Sequence, residues 1–238
     1  MIIYGKNPVV EAIRNKRNIS KMVVVDGLKD QNFLKFLKEN HIKYELLPQH
    51  VISKRYGDKT GGIVAEINEY EYATLEEVLN KTSKKPEGGV LMLLDGLEDP
   101  HNLGAILRSA DATGADAIII PKNRSVSLNQ TVAKVSTGAI EYVDVVQVTN
   151  LTQTIQELKK QGYWVIGLEL DGSIYYDEQD YKGNVAIVVG SEGKGISRLV
   201  KENCDVLVKI PMYGKVNSLN ASVSAGLILY EVVRNRNK

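Results

Sequence analysis

Six short apolar runs, separated by stretches with helical spacing, constrain the fold of this chain more than any other feature. They lie at residues 90–94, 117–120, 143–148, 163–168, 185–189 and 206–210. Apolar strands that alternate with helices are typical of a parallel sheet covered by helices. The sequence therefore predicts an α/β fold with a parallel sheet over residues 90–238, and it predicts that Trp164 lies in the core.

The front of the chain is predicted to form a second, smaller α/β unit. One helical pattern begins at Asn7 and Pro8, and another surrounds Phe33. Strand-like runs lie at residues 22–25, 44–47 and 63–67. We assign residues 1–70 to this unit.

A connecting region is predicted between the two units. Thr74 and Glu77 match the capping-box pattern that starts a helix. Residues 83–89 contain a proline, paired glycines and several charges, which are features of an exposed linker. We therefore expect residues 71–89 to form the linker region.

The composition predicts a folded protein with balanced charge. Hydrophobic residues make up 43% of the 238 residues, which is enough for a core, and the formal net charge is +1. This balance argues against a disordered acidic tail and against a uniformly basic nucleic-acid coat. Residues 1–86 carry a net charge of +4, from 15 Lys and Arg against 11 Asp and Glu. A basic surface there can face phosphates, although ordinary solvated lysines give the same balance.

The cysteine count and the hydropathy pattern indicate where in the cell the protein is expected. The single Cys204 excludes an intrachain disulfide and a cysteine-based metal cluster, and we predict that it is a small buried hydrophobe. No stretch approaches 18 apolar residues, and the first residues lack a signal-peptide pattern. We expect a cytoplasmic protein with no membrane segment and no bound metal.

Polar residues and glycines concentrate in three segments that follow predicted strands, where open α/β sheets bind their ligands. The first segment, residues 94–108, contains Asn102 and Arg108. Asn102 is explained either as a helix cap or as a site residue. Arg108 follows on a small, apolar helix face, where a guanidinium can hold a phosphate or form a salt bridge, and both alternatives stay open.

The second segment, residues 188–196, leads from a strand into a cluster of glycines. Glycines let a ligand approach the backbone closely, and a tight turn explains them equally well. Their spacing matches neither the dinucleotide-binding pattern nor the phosphate loop. A nucleotide-dependent oxidoreductase or phosphotransferase is therefore disfavoured.

The third segment, residues 210–226, leads from a strand through a polar turn into a helix rich in small residues. Ser218 and Asn220 lie near the start of that helix and are suited to cap it. The free backbone N–H groups of a helix start also suit an anionic or carboxylate-bearing ligand.

In this order and spacing, the three segments resemble the three motifs of the SpoU (TrmH) family of RNA 2'-O-ribose methyltransferases, in the SPOUT superfamily. The front unit resembles the ribosomal-protein-like RNA-binding domain of the RlmB subgroup, which methylates a guanosine of 23S rRNA. Asp-Pro-His-Asn-Leu-Gly at residues 99–104 and Ile-Pro-Met at residues 210–212 look most like that subgroup. The resemblance implies an N-terminal α/β RNA-binding domain and a C-terminal parallel-sheet SPOUT domain with a deep trefoil knot. It also implies S-adenosylmethionine as cofactor, RNA as substrate and a homodimer.

The resemblance extends to single residues. The family's active-site positions correspond to Asn102, Arg108, Glu192, Ser218 and Asn220. The positions whose backbone holds the cofactor correspond to Gly190, Ile210 and Leu219. In the front domain, the predicted phosphate contacts are Arg14, Lys16, Arg17, Lys54, Arg55 and Lys59.

The reaction that the resemblance implies moves a methyl group from a sulfonium to a ribose 2'-hydroxyl, so the protein must orient the two and manage one proton. Our hypothesis puts Arg108 beside the hydroxyl and a phosphate, held there by Glu192 and Asn102, while Ser218 and Asn220 shape the cofactor loop. A guanidinium stays protonated in proteins. We therefore expect Arg108 to stabilise charge, with the proton acceptor left open.

Other functions remain as alternatives to 23S rRNA guanosine methylation. The same chemistry on tRNA or on an rRNA adenosine is the nearest, although the front domain argues against tRNA. A catalytically silent rRNA-binding or assembly protein is the alternative from another class, and the intact set of active-site positions argues against it.

Overall fold

The computed structural model describes residues 1–216 and 218–237, and it divides into two compact units. The first unit comprises Met1–Glu71 together with Leu128–Tyr142, and the second comprises Tyr72–Ser127 and the chain from Val143 onward. The chain therefore passes between the units three times. Sequence patterns predicted one passage, because they assigned the whole of residues 90–238 to the sheet domain.

The helices, in chain order, are α1 (Lys6–Arg14), α2 (Gln31–Glu39), α3 (Gln49–Tyr56), α4 (Leu75–Thr82), α5 (Pro100–Thr113), α6 (Gln130–Val135), α7 (Leu151–Lys160), α8 (Arg198–Glu202) and α9 (Ala221–Arg236). Two 3-10 helices are Asp58–Thr60 and Ala139–Glu141. The strands are β1 (Ile2–Tyr4), β2 (Ile19–Val25), β3 (Glu45–Leu47), β4 (Ile63–Ile67), β5 (Val90–Asp95), β6 (Ala117–Pro121), β7 (Asp144–Val148), β8 (Trp164–Leu168), β9 (Ile174–Tyr175), β10 (Val185–Gly190) and β11 (Val206–Lys209). Among the described residues, none of the helices has the length and apolar character needed to cross a membrane.

The first unit contains a four-stranded mixed sheet in the order β1-β4-β2-β3. The β4 strand pairs antiparallel with β1 and β2, and β3 joins β2 in parallel. Val23, Ile52 and Val64 pack together in its core. The predicted helices and strands of this unit are present. The pattern did not predict α3, because Ile52 is its only buried residue.

The segment Leu128–Tyr142 is anchored in the first unit by a buried carboxylate. The Glu141 side chain is 1% exposed and accepts hydrogen bonds from the Tyr70 hydroxyl at 2.7 Å and the Asn15 amide at 3.1 Å. Arg17 Nε lies 3.8 Å from the same carboxylate. The Tyr142 hydroxyl donates to Glu11 at 2.5 Å. These partners lie far away in sequence, so local sequence patterns could not predict the contacts.

The region expected to be a linker is a structured part of the second unit. Thr74 and Glu77 form the predicted capping box at the start of α4, whose Val78 is buried in the core of the sheet. Gly88 is packed so tightly that a Cβ atom there would lie 2.2 Å from the backbone carbon of Gly183. The prediction that residues 71–89 form a linker region is therefore wrong, because the chain from Tyr72 belongs to the second unit.

The second unit contains a seven-stranded sheet in the order β7-β6-β5-β10-β8-β11-β9, with every neighbouring pair parallel. On one face, buried side chains of α7, such as Ile155 and Leu158, pack against residues such as Leu93 and Ile119 of the sheet. Helices α5 and α9 pack against each other, and α9 also contacts β10. The predicted parallel α/β sheet is confirmed.

Trp164 is the main error in the predicted core. Its side chain is 49% exposed, whereas the adjacent Tyr163 is 4% exposed and its hydroxyl donates to Thr82 at 2.6 Å. Successive side chains of an extended chain point to opposite faces, so only one of two neighbours enters the core here. Cys204 is half-buried and packs against the core, close to its predicted role.

Candidate active site

The site lies where the strand order of the sheet changes direction. From β5, the order runs through β6 and β7 on one side and through β10, β8 and β11 on the other. Open α/β sheets bind ligands at the carboxyl ends of strands around such a point. A cavity of about 270 Å³ lies on the β10 side of this point, lined by the ends of β8 and β10, by the chain that follows β8, β10 and β11, and by residues around the start of α9.

Residues from two of the three motif segments line this cavity. The predicted cofactor-binding residues Gly190, Ile210 and Leu219 are all in its wall, as are Glu192 and Ser218. The other lining residues are Leu168, Glu169, Leu170, Val189, Ser191, Gly193, Lys194, Gly195, Met212, Ala221 and Ser224. Asn217, part of the third segment, lies outside the described residues.

The glycine cluster forms a tight turn after β10. Ser191 and Gly195 form an isolated antiparallel bridge, and Gly193 and Gly195 have φ angles of 78° and 65°. A Cβ atom on Gly190 would lie 2.1 Å from the backbone carbon of Gly195. The tight turn itself forms part of the cavity wall. The glycines therefore serve both purposes that the sequence suggested, a tight turn and a close approach of the ligand to the backbone.

Asn102, Glu192 and Asn220 form one hydrogen-bonded cluster. Glu192 Oε1 accepts from the Asn102 amide at 3.0 Å and from the Asn220 amide at 2.6 Å. The Asn220 amide also donates to Asn102 Oδ1 at 2.9 Å. Asn102 is 7% exposed, whereas Glu192 and Asn220 are exposed. The cluster thus joins all three motif segments.

Helix caps explain only part of this arrangement. Asn220 caps α9, because its Oδ1 accepts from the backbone N–H of Ser222 at 2.9 Å. Asn102 does not cap α5. That role belongs to Asp99, which accepts from the His101 N–H at 2.8 Å. Asn102 is therefore free to join the cluster, where its amide donates one hydrogen bond and accepts another.

Arg108 lies outside this cluster. Its side chain is exposed on α5, and within residues 1–216 and 218–237 it makes no hydrogen bond or ion pair. The hypothesis that Glu192 and Asn102 hold its guanidinium is wrong for this chain, because both side chains bind Asn220 instead. The salt-bridge explanation of Arg108 fails for the same lack of a partner in the described chain.

The predicted phosphate contacts in the first unit differ in their availability. Arg14, Lys16, Lys54, Arg55 and Lys59 are exposed. Arg14 also pairs with Glu11 at 2.8 Å. The Arg17 guanidinium instead stacks 4.4 Å from the Tyr70 ring centre and donates to the carbonyls of Asn68 and Glu69 at 3.1 and 3.0 Å.

Sequence reasoning missed Glu169 and Met212 as lining residues. Glu169 directly follows β8, and Met212 lies three residues after the end of β11. The rule that ligands bind beyond the carboxyl ends of strands would have found them. Among the described residues, no group of three or more His, Cys, Asp or Glu side chains is arranged to hold a metal ion.

A parallel sheet with a ligand cavity at its strand ends, together with a smaller unit that carries exposed basic side chains, is typical of an α/β protein that binds a small ligand and an anionic partner. Comparison with known families identifies it further. The model of the SpoU rRNA Methylase family matches residues 89–230, and the model for RNA 2'-O ribose methyltransferase substrate binding matches residues 2–73. The chain belongs to the SpoU family and is an S-adenosylmethionine-dependent RNA methyltransferase.

Individual relatives agree with this assignment. A Staphylococcus epidermidis protein whose name places it in the TrmH family of tRNA/rRNA methyltransferases is 47% identical, over 100% of this chain and 97% of its own length. The crystal structure of an RNA 2'-O ribose methyltransferase matches with a TM-score of 0.82 and 26% identity, over 100% of this chain and 89% of that one. The SpoU methyltransferase AviRb of Streptomyces viridochromogenes, crystallised with AdoMet, shares the fold with a TM-score of 0.83 and 22% identity, over 100% of this chain and 91% of that one.

The cavity suits this cofactor chemically. S-adenosylmethionine has a flat adenine ring, a ribose and a charged amino-acid tail, and so it needs apolar walls together with a few polar groups. Leu168, Leu170 and Ile210 supply apolar surface, and Ser218 and Ser224 supply hydroxyls. When bound, the cofactor supplies a methyl group activated by its sulfonium.

Proposed function

We propose that this protein methylates the ribose 2'-hydroxyl of a guanosine in 23S rRNA, as the RlmB subgroup does. The observation that carries the proposal is that Gly190, Ile210 and Leu219 line one cavity beside the Asn102–Glu192–Asn220 cluster. The match of the front unit to a 2'-O ribose methyltransferase substrate-binding model supports the ribose as target. Ribosomal RNA as substrate implies that the reaction takes place in the cytoplasm.

Arg108 is the residue we propose for charge stabilisation. Its exposed guanidinium has no partner in the described chain, so a phosphate or a developing oxyanion can bind it without displacing anything. Because a guanidinium stays protonated, it is suited to holding negative charge and not to removing the hydroxyl proton.

The cluster has a different task in this proposal. Glu192 ties Asn220 to Asn102, and Asn220 caps α9, so the turn after β10 is joined to the start of that helix. Ser218 lies in the cavity wall two residues before the cap. We propose that these residues keep the cofactor wall and the target hydroxyl aligned, which is how positioning lowers a barrier.

A homodimer is part of the proposal. Val223, Leu227 and Tyr230 are 49%, 40% and 56% exposed and recur at helical spacing along α9. The helix that carries this apolar stripe begins at the site and packs on α5, which carries Arg108. We propose that a second copy of the chain covers the stripe. The trefoil knot implied by the family stays a prediction.

The first unit is proposed to bind the RNA. Its exposed basic residues Arg14, Lys16, Lys54, Arg55 and Lys59 are suited to phosphates. Arg17 is a weaker candidate, because its guanidinium already binds Tyr70 and two carbonyls.

A methyl-transfer assay tests the function. The purified protein is incubated with labelled S-adenosylmethionine and either protein-free 23S rRNA or bulk tRNA, and the labelled nucleosides are identified. Label in 2'-O-methylguanosine from rRNA alone supports the proposal. Label in tRNA or in adenosine keeps the chemistry and overturns the substrate, while cofactor binding without transfer to free or ribosome-assembled rRNA favours a silent RNA-binding protein.

A further inference from the structure

Glu169 reaches from one strand end to the glycine turn at another. It directly follows β8, where its backbone N–H donates to the Val208 carbonyl at 2.9 Å. Its carboxylate lies in the cavity wall, and Oε1 accepts a short hydrogen bond from the backbone N–H of Ile196. The side chain is only 13% exposed. The Glu169 carboxylate thus binds the last residue of the glycine turn that lines the cavity.

A glycine is required beside this carboxylate. A Cβ atom on Gly195 would lie 2.6 Å from Glu169 Oε1, and the φ angle of Gly195 is 65°. The positive φ angle of Gly195 favours glycine there, and the Glu169 carboxylate lies against it. A second carboxylate binds the next residue of the chain, since Asp95 accepts from the Ser197 N–H at 2.7 Å.

Lys201 lies near the other oxygen of Glu169. Its ammonium lies 3.9 Å from Glu169 Oε2 and donates to both oxygens of Asp171, at 2.7 and 2.9 Å. The hydrogen bond to Asp171 raises the pKa of Lys201, so the ammonium is charged at neutral pH. The carboxylate therefore lies between a cation and the turn.

We infer that Glu169 is a positioning residue for the cofactor, which holds the turn of residues 190–196 in the shape that binds S-adenosylmethionine. This inference rests on the proposal that the cavity is the cofactor site. In this role the side chain needs an acceptor oxygen and enough length to bring that oxygen to the Ile196 N–H. Glutamine preserves that oxygen and its reach, whereas aspartate keeps the charge and loses the reach.

The test measures the dissociation constant of S-adenosylmethionine by calorimetry, on the full chain without RNA. We expect Glu169→Ala and Glu169→Asp to weaken binding by about tenfold or more, since neither variant places an acceptor oxygen within reach of the Ile196 N–H. Glu169→Gln should remain within about threefold of the original chain, because its amide oxygen still accepts. The matched control is Glu202→Ala, a 54% exposed carboxylate that pairs only with Arg198 among the described residues.

Two results separate the possible failures. If Glu169→Asp binds as tightly as the original chain, or if Glu169→Gln binds as weakly as Glu169→Ala, the positioning role is overturned. Leu219→Trp, which fills the cavity, tests its use directly, and unchanged binding by that variant would mean that the cofactor site is elsewhere. Turnover at saturating cofactor should be near normal for Glu169→Asp, so the defect appears in cofactor KM and not in kcat.

Discussion

Glu192 and Asn220 lie 28 positions apart in sequence, and the carboxylate of one accepts a 2.6 Å hydrogen bond from the amide of the other. Glu192→Ala removes this bond and the one from Asn102, so the start of α9 loses its tie to the turn. We expect kcat/KM to fall by about tenfold or more, because bonds to a charged acceptor are lost. Steady-state kinetics checks this, with melting temperatures to show that the fold is intact. A variant with normal kcat/KM would contradict the proposed role of the cluster.

Arg108 is predicted to act in turnover and not in cofactor binding. It lines no part of the cavity and has no partner in the described chain, so Arg108→Ala should abolish methyl transfer and leave S-adenosylmethionine affinity unchanged. Arg108→Lys keeps the charge and loses the planar fork, so we expect partial activity. The control is Arg198→Ala, an exposed arginine that pairs with Glu202. Loss of cofactor binding by a folded Arg108→Ala variant would refute the assignment.

Gly190 should tolerate no side chain. Its Cβ would meet the backbone of Gly195 at 2.1 Å, so Gly190→Ala must move the turn and should abolish cofactor binding while lowering the melting temperature. At Gly193 nothing lies within 4 Å of an added Cβ, and only the φ angle of 78° opposes it. Gly193→Ala should therefore cost only about 1 kcal/mol. Urea unfolding of both variants makes the comparison, and equal losses would contradict it.

Removing the buried carboxylate of Glu141 should destabilise the first unit. Glu141→Ala leaves the Tyr70 hydroxyl, the Asn15 amide and Arg17 without their shared partner, and we expect a loss of about 3 kcal/mol in the free energy of unfolding. Glu69→Ala is the control, since that carboxylate is 79% exposed and pairs with the chain's amino group at 3.3 Å. Cofactor affinity should not change. Denaturant unfolding of both variants measures this free energy, and equal m-values show that the two results are comparable.

The thiol of Cys204 should be unreactive in the folded protein. Burial raises its pKa from 9.0 to about 12, so the folded state keeps the proton where the unfolded state loses it. This contribution to stability is complete below pH 9 and is lost as the pH rises towards 12. A disulfide reagent at pH 8 should label the native protein slowly and the urea-unfolded protein at once. Cys204→Ser controls for other reactions, and equally fast labelling of both states would contradict the buried thiol.

Local chemistry was enough to predict several elements. The capping box of Thr74 and Glu77, the strand of residues 63–67 and the cap of α9 by Asn220 each depend on residues within a few positions of one another. The glycine turn of residues 190–196 was also predictable, because its glycines are close together in sequence. Family resemblance added Gly190, Ile210 and Leu219, which the structure brings to one cavity.

The sequence by itself determined where the strands, turns and helix starts lie, because hydrophobic periodicity and capping act over a few residues. Only the tertiary structure decided which side chains meet. Glu192 binds Asn220 and not Arg108, Arg17 binds Tyr70 and backbone carbonyls, and residues 128–142 join the first unit. Partners such as Asn15 and Glu141 are 126 positions apart, and their pairing depends on which packed surfaces come together when the whole chain buries its apolar faces.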